Sequence, residues 1–150
     1  MSSAVWTPIR LAAANSRFVK CIWTSGLDRL ELPVAHGEGK FVPADESVRR
    51  ALWDHDQVAL VYTRPDGSSP QGHFPDNPNG TVDDIAAVCD KTGLVLGLMP
   101  HPERHISLLQ HPAWTSRMSE RGGKEEARGA GLNLICSAVE HVGGAVTKGR

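Results

Sequence analysis

The 150-residue sequence has almost no excess of charge, few cysteines and no long apolar run, and each shortage removes a class of function. Sixteen basic residues stand against seventeen acidic ones, a formal net charge of -1. That balance supplies no electrostatic footprint for nucleic acid or for an anionic membrane surface, so partners must be met through shape and specific groups. Cys21, Cys89 and Cys136 are odd in number, far apart and without a Cys-x-x-Cys pair. They argue against a disulfide framework or a zinc ribbon and for reduced thiols. No apolar stretch approaches the roughly 20 residues of a membrane span. The first residues, Met-Ser-Ser-Ala-Val-Trp-Thr-Pro, lack a signal-peptide core, which makes the cytoplasm the expected location. No repeat, low-complexity tract or linker divides the chain. Residues 1–150 are therefore read as one domain, whose 40% hydrophobic content is enough to bury a core.

What is present is an alternation of strand-like and helix-like segments. Arg17 to Trp23 mixes aromatic and branched residues and predicts a strand, Leu30 to Val34 a second, and Val58 to Tyr62 a buried one with no polar member. Pro43 to Trp53 reads as a short amphipathic helix with acidic residues near its start. Arg64 to Asp84 is a loop of about twenty residues rich in Pro, Gly, Asn and Asp, a length that is usually functional or disordered. Ile85 to Val88, the turn Asp90 to Gly93, and Leu94 to Met99 predict a hairpin. Arg104 to Gln110 predicts a short helix and Ser116 to Gly123 a polar, mobile connection. Glu125 to Val142 carries apolar and small residues at spacings of three and four, the chain's clearest helix, ended by Gly143-Gly144. Its small residues, Ala127, Ala130, Gly131 and Ala138, suit close packing on a sheet.

The chemistry is expected at the end of the hairpin, in Gly-Leu-Val-Leu-Gly-Leu-Met-Pro-His-Pro-Glu-Arg-His, Gly93 to His105. A residue before proline is pushed toward extended backbone, so Met99 and His101 should be extended. Side chains two apart in extended chain share a face, which sets His101 beside Glu103. A carboxylate beside an imidazole fixes its tautomer and stabilises its protonated form, as a general base requires. The stretch thus reads as two members of a nucleophile, base and orienter triad, although a Pro-His-Pro turn can also be a simple chain reversal. Upstream, Ala35-His36-Gly37-Glu38-Gly39-Lys40 offers two glycines around a glutamate, which suits either a ligand-contacting loop or a plain turn.

Ala-His-Gly-Glu-Gly-Lys at 35–40, Asn-Pro-Asn-Gly at 77–80 and Val-Leu-Gly-Leu-Met-Pro-His-Pro-Glu-Arg at 95–104 together resemble, in order and spacing, the glutamine amidotransferase part of phosphoribosylformylglycinamidine synthase, a class I amidotransferase. The resemblance runs from about Asn15 to Val142. It implies a flavodoxin-like α/β domain with a mixed, mainly parallel sheet flanked by helices. It implies further that His101 is the base and Glu103 the orienter of a Cys-His-Glu triad, and that His36, Gly37 and Glu38 lie where relatives hold the backbone part of glutamine. The activity implied is glutamine hydrolysis through a thioester, the ammonia passing to a synthetase partner that uses ATP and Mg to convert formylglycinamide ribonucleotide to its amidine in purine biosynthesis. No cofactor or metal is implied in the chain itself.

The sequence departs from the family at one place. The nucleophile belongs to a Gly-x-Cys-x-Gly elbow that resemblance places before the region covered here, and none of the three cysteines stands in such a setting. The chain therefore reads as the C-terminal part of the domain, inactive alone and completed by a nucleophile-bearing N-terminal half. A non-catalytic module that binds a synthetase is the alternative. A metal-dependent hydrolase using His101, Glu103, His105 and His73 or His111 is a third reading, one that the spacing of the ligands does not favour.

Overall fold

A computed structural model describes residues 5–11, 21–35, 39–120 and 128–143. Five strands form one sheet in the order β2-β1-β3-β4-β5: β1 Val5–Leu11, β2 Arg29–Val34, β3 Val58–Tyr62, β4 Ile85–Cys89 and β5 Leu96–Leu98. Three helices accompany it, α1 Glu46–Asp54, α2 Trp114–Glu120 and α3 Ala130–His141. No helix among the described residues is long and apolar enough to cross a membrane.

β3 lies at the centre of the sheet and all five of its residues are buried, as its unbroken apolar run requires. One face of the sheet gathers Leu30, Leu32, Leu60, Tyr62 and Ala87 under Leu134 of α3. The other gathers Val58, Val61 and Ile85 under Phe41 and under Leu52 and Trp53 of α1. Two helices on opposite faces of one sheet make a three-layer α/β arrangement. α1 begins where Asp45 accepts the Val48 amide at 2.9 Å, a side-chain cap for an otherwise unsatisfied N–H.

Every strand pairing is antiparallel, which corrects the mainly parallel sheet for this part of the chain. Parallel neighbours need a crossover of a dozen or more residues, usually helical. The β2-α1-β3 segment is such a crossover, but β1 is inserted between its two strands and runs against both. β3 and β4 are joined by the long loop, and β4 and β5 by a tight turn. In that turn Asp90 Oδ1 accepts the amides of Leu94 and Val95, both at 3.0 Å. Thr92 and these backbone donors bring the Asp90 carboxyl down to about 2.

Other expectations change as well. Of the strand predicted at Arg17 to Trp23, residues 17–20 lie outside the described residues, and Cys21 to Gly26 form successive turns. The connection predicted at Ser116 to Gly123 is helix α2 as far as Glu120. α2 has no apolar stripe to announce it; it is anchored by Arg117, which donates to Glu31, and by the His111 ring, which accepts the Ala113 amide at 2.9 Å. Arg104 to Gln110 is not one helix: one 3₁₀ turn, Pro102–Arg104, ends at its start and a second, Leu108–Gln110, closes it. Of the helix predicted at Glu125 to Val142, residues 125–127 lie outside the described residues, and α3 begins at Ala130, after Arg128 bridges to Ser107 and Gly129 is extended.

Candidate active site

The pair foreseen at the end of the hairpin is formed: His101 Nδ1 and Glu103 Oε1 lie 2.7 Å apart. The route to it differs from extended chain with alternating faces. His101 sits at φ -105°, ψ 88°, just outside the extended region expected for it, and Pro102, Glu103 and Arg104 form a 3₁₀ turn. Proline at the first position of that turn has the φ a helix start needs, and the turn folds Glu103 back onto the preceding ring. Burial pushes the Glu103 carboxyl up, yet its own backbone N–H, the His101 ring and Arg104 outweigh that and hold it below the usual range. A carboxylate accepts from Nδ1–H, so Nε2 is left with its lone pair to take a proton. The pair is partly open to solvent, as proton exchange with a substrate requires.

Backbone bonds from three directions fix the turn. Met99 donates to Ala86 of β4 at 3.1 Å, His101 donates to Pro33 of β2 at 2.8 Å, and Gly131 of α3 donates to His105 at 2.9 Å. His105 is buried and its Nδ1 donates to the Glu31 carbonyl at 2.8 Å. Burial lowers its pKa and favours the neutral ring. His111 Nδ1 accepts from Ala113, which leaves its Nε2–H to meet Glu31 Oε1 at 3.1 Å. Burial raises the Glu31 carboxyl, but the bonds from Arg117 and His111 prevail and lower it.

The long loop is ordered by a buried carboxylate. Asp84 Oδ1 accepts from the Gly72 amide and the Asn77 side chain, both at 2.8 Å, and Oδ2 accepts from the Ser69 hydroxyl and the Gln71 amide. Burial opposes ionisation, but these four donors overcome it and keep the carboxyl below its ordinary pKa. The loop in turn reaches the other motifs. Asn79 Nδ2 donates to Gly39 at 3.2 Å and Thr81 Oγ1 to Phe41 at 3.1 Å, while Gly39 lies against the Met99 side chain. Three motifs far apart in sequence thus meet just before His101. Residues 7–142 match the family model of the CobB/CobQ-like glutamine amidotransferase domain.

The chain belongs to that amidotransferase family. It is 42% identical over 129 residues to phosphoribosylformylglycinamidine synthase subunit PurQ of Dehalococcoides mccartyi, an alignment covering 85% of this chain and 45% of the relative. To the subunit of the same name in Methanococcus maripaludis it is 42% identical over 125 residues, 81% of this chain and 46% of the relative. Among solved structures, PurLQS from Thermotoga maritima superposes with a TM-score of 0.56 at 23% identity, covering 93% of this chain and 48% of that one. The likeness is one of fold, an α/β class I glutamine amidotransferase domain. The chain spans about half the length of the curated relatives it matches.

In this amidotransferase chain the expected glutamine positions His36, Gly37 and Glu38 lie outside the described residues. Cys21 and Cys89 are buried, and burial together with the neighbouring Cys21 raises the Cys89 thiol to about 11. Among the described residues no three His, Cys, Asp or Glu side chains are placed to hold a metal. His101 turns to Glu103, whereas His105 and His111 turn to Glu31, so the ligands of the metal reading do not converge. Sequence reasoning missed Glu31 and Arg117 and named His111 only as a metal ligand; Glu31 lies 80 residues from His111 and 86 from Arg117, so the three share no local pattern. It noted Gly131 only as a small residue for packing on a sheet; the structure packs it on the Pro102 turn.

Proposed function

We propose that the chain supplies the base and orienter of a Cys-His-Glu triad in the glutaminase component of phosphoribosylformylglycinamidine synthase. The observation that carries this is the 2.7 Å contact between His101 Nδ1 and Glu103 Oε1 at the end of β5. Glu103 holds the Nδ1–H tautomer and stabilises the imidazolium that forms, and His101 Nε2 takes the proton of a cysteine thiol on the nucleophile-bearing half. The thiolate attacks the glutamine carboxamide carbon; His101 Nε2–H then protonates the amide nitrogen, which departs as ammonia and leaves a thioester. His101 next deprotonates a water molecule that attacks the thioester, and glutamate and the free thiol are released. Glutamine and water become glutamate and ammonia.

His36, Gly37 and Glu38 are proposed to hold the glutamine backbone, next in sequence to Gly39, which packs on Met99. The ammonia passes to a synthetase partner whose ATP and Mg drive conversion of formylglycinamide ribonucleotide to the amidine. The similarity to subunits of that synthase supports this reading.

The test is reconstitution of this chain with a polypeptide carrying the Gly-x-Cys-x-Gly half and with the synthetase, followed by glutamate release. Activity is expected in the complex and not in the chain alone. Triad members act as a unit, so His101→Asn should cost on the order of a million-fold and Glu103→Gln about ten-thousand-fold. Hydrolysis by the chain alone, with labelling mapped to Cys21, Cys89 or Cys136, would overturn the proposal, as would a His101→Asn complex that keeps most of its activity.

A further inference from the structure

Gly131 stands in the first turn of α3, where glycine is a poor helix former and alanine the best. The reason for a glycine there is spatial. A Cβ on Gly131 would lie 1.9 Å from the Pro102 carbonyl oxygen and 2.6 Å from its carbon. Two residues earlier, a Cβ on Gly129 would lie 2.2 Å from the His105 carbonyl oxygen. The backbone of α3 is therefore pressed directly on both ends of the turn that carries Glu103. Hydrogen bonds run across the same contact, from Gly131 to His105 at 2.9 Å and from Gly129 to Ile106 at 3.0 Å.

The turn has no room to retreat. Its opposite side is tied to β2, where His101 donates to Pro33 and the His105 ring to Glu31, both at 2.8 Å. Pro102 adds a locked φ. The Pro102 carbonyl shares its peptide plane with the Glu103 nitrogen, so any push on that oxygen swings Glu103 relative to His101. We infer that Gly131 is a positioning residue for glutamine hydrolysis: by leaving no side chain at the contact, it seats the Pro102 turn so that Glu103 meets His101.

The inference rests on the triad reading, and the experiment separates the two. Relieving the overlap of a new Cβ takes a shift of about 1 Å, a misplacement that costs on the order of 100-fold in rate. In the reconstituted complex, Gly131→Ala should lower kcat by about 100-fold with KM nearly unchanged. Combined with Glu103→Gln it should add little to the loss from Glu103→Gln alone, because both act through one pair. Two substitutions control for general damage. Leu134→Ala, in the core one turn further along α3, should lower the melting temperature while leaving kcat near wild type below it. Gly97→Ala, whose Cβ meets nothing closer than 3.9 Å, should leave activity unchanged.

Isotope-labelled histidine NMR on the same complex reads the His101–Glu103 bond without turnover, and its low-field ring proton should disappear in Gly131→Ala. A wild-type complex without glutaminase activity would overturn the triad reading alone; a ring proton that persists in Gly131→Ala, or full kcat in that variant, would overturn this inference. Hydrogen exchange of the wild-type complex needs no substitution at all. Exchange at the Gly129 and Gly131 amides should be as slow as in β3, and fast exchange at both would refute the contact.

Discussion

Replacing Asp84 tests how the long loop is held. Its carboxylate is 4% exposed and each oxygen accepts two bonds, one of them from a backbone amide. In Asp84→Asn one oxygen becomes an NH2 group and faces a backbone N–H in either orientation. The better orientation puts it at the Oδ2 position, because the Ser69 hydroxyl can turn to accept and the Gln71 amide also reaches Ser69 Oγ at 3.0 Å. What is lost is one backbone bond and the charge that strengthens the others, about 2–3 kcal/mol. Asp84→Ala removes all four acceptor contacts and strands the Gly72 amide, about 3–5 kcal/mol.

The pH dependence follows from the sign of the shift. Asp84 has its folded pKa below the ordinary aspartate value of about 3.9, so its contribution is fully present above that value and is lost as pH falls through the folded one. Wild type and Asp84→Asn should therefore differ by a constant amount at neutral pH and converge only below about pH 4. Denaturant unfolding followed by tryptophan fluorescence suits the assay, because Trp53 donates to the adjacent Asp83 at 3.0 Å. An Asn variant within about 0.5 kcal/mol of wild type at pH 7, or a gap that closes above pH 5, would refute the argument.

Two further substitutions probe the core. Leu134→Ala, which removes the α3 side chain buried against β2 and β3, should cost about 2–5 kcal/mol by denaturant titration. Tyr62→Phe should leave the melting temperature unchanged or raise it, because the buried Tyr62 hydroxyl has no partner among the described residues, and deleting it breaks no bond.

Where local pattern coincides with local physics, the sequence was legible. The Val58–Tyr62 run could only be buried, Asp90 to Gly93 could only turn, and two prolines around His101 forced the chain out of regular structure beside a carboxylate. The His101–Glu103 pairing was readable for the same reason, although a 3₁₀ turn makes it. Long-range geometry was not readable. Nothing near Ser116 signals that Arg117 will bond Glu31, yet that contact anchors α2. The insertion of β1 between β2 and β3 is likewise invisible locally, and it makes the sheet antiparallel where a parallel one was expected. Gly131 was visible as a small residue, but only the fold shows what it is small for.

The bonds that seat the active-site turn have a second consequence, for solubility. Among the described residues β2 is an edge strand, and an edge with free carbonyls is a template for pairing with another chain. In an antiparallel ladder a residue turns both backbone groups to the same side, so Glu31 and Pro33, which bond outward, are the positions a foreign strand would use. Pro33 has no N–H to offer, and both carbonyls are already taken by His105 and His101. The turn that carries the base is also the guard on this edge. A lesion that unseats it should release a sticky strand along with a misplaced histidine, so that loss of catalysis and loss of solubility travel together.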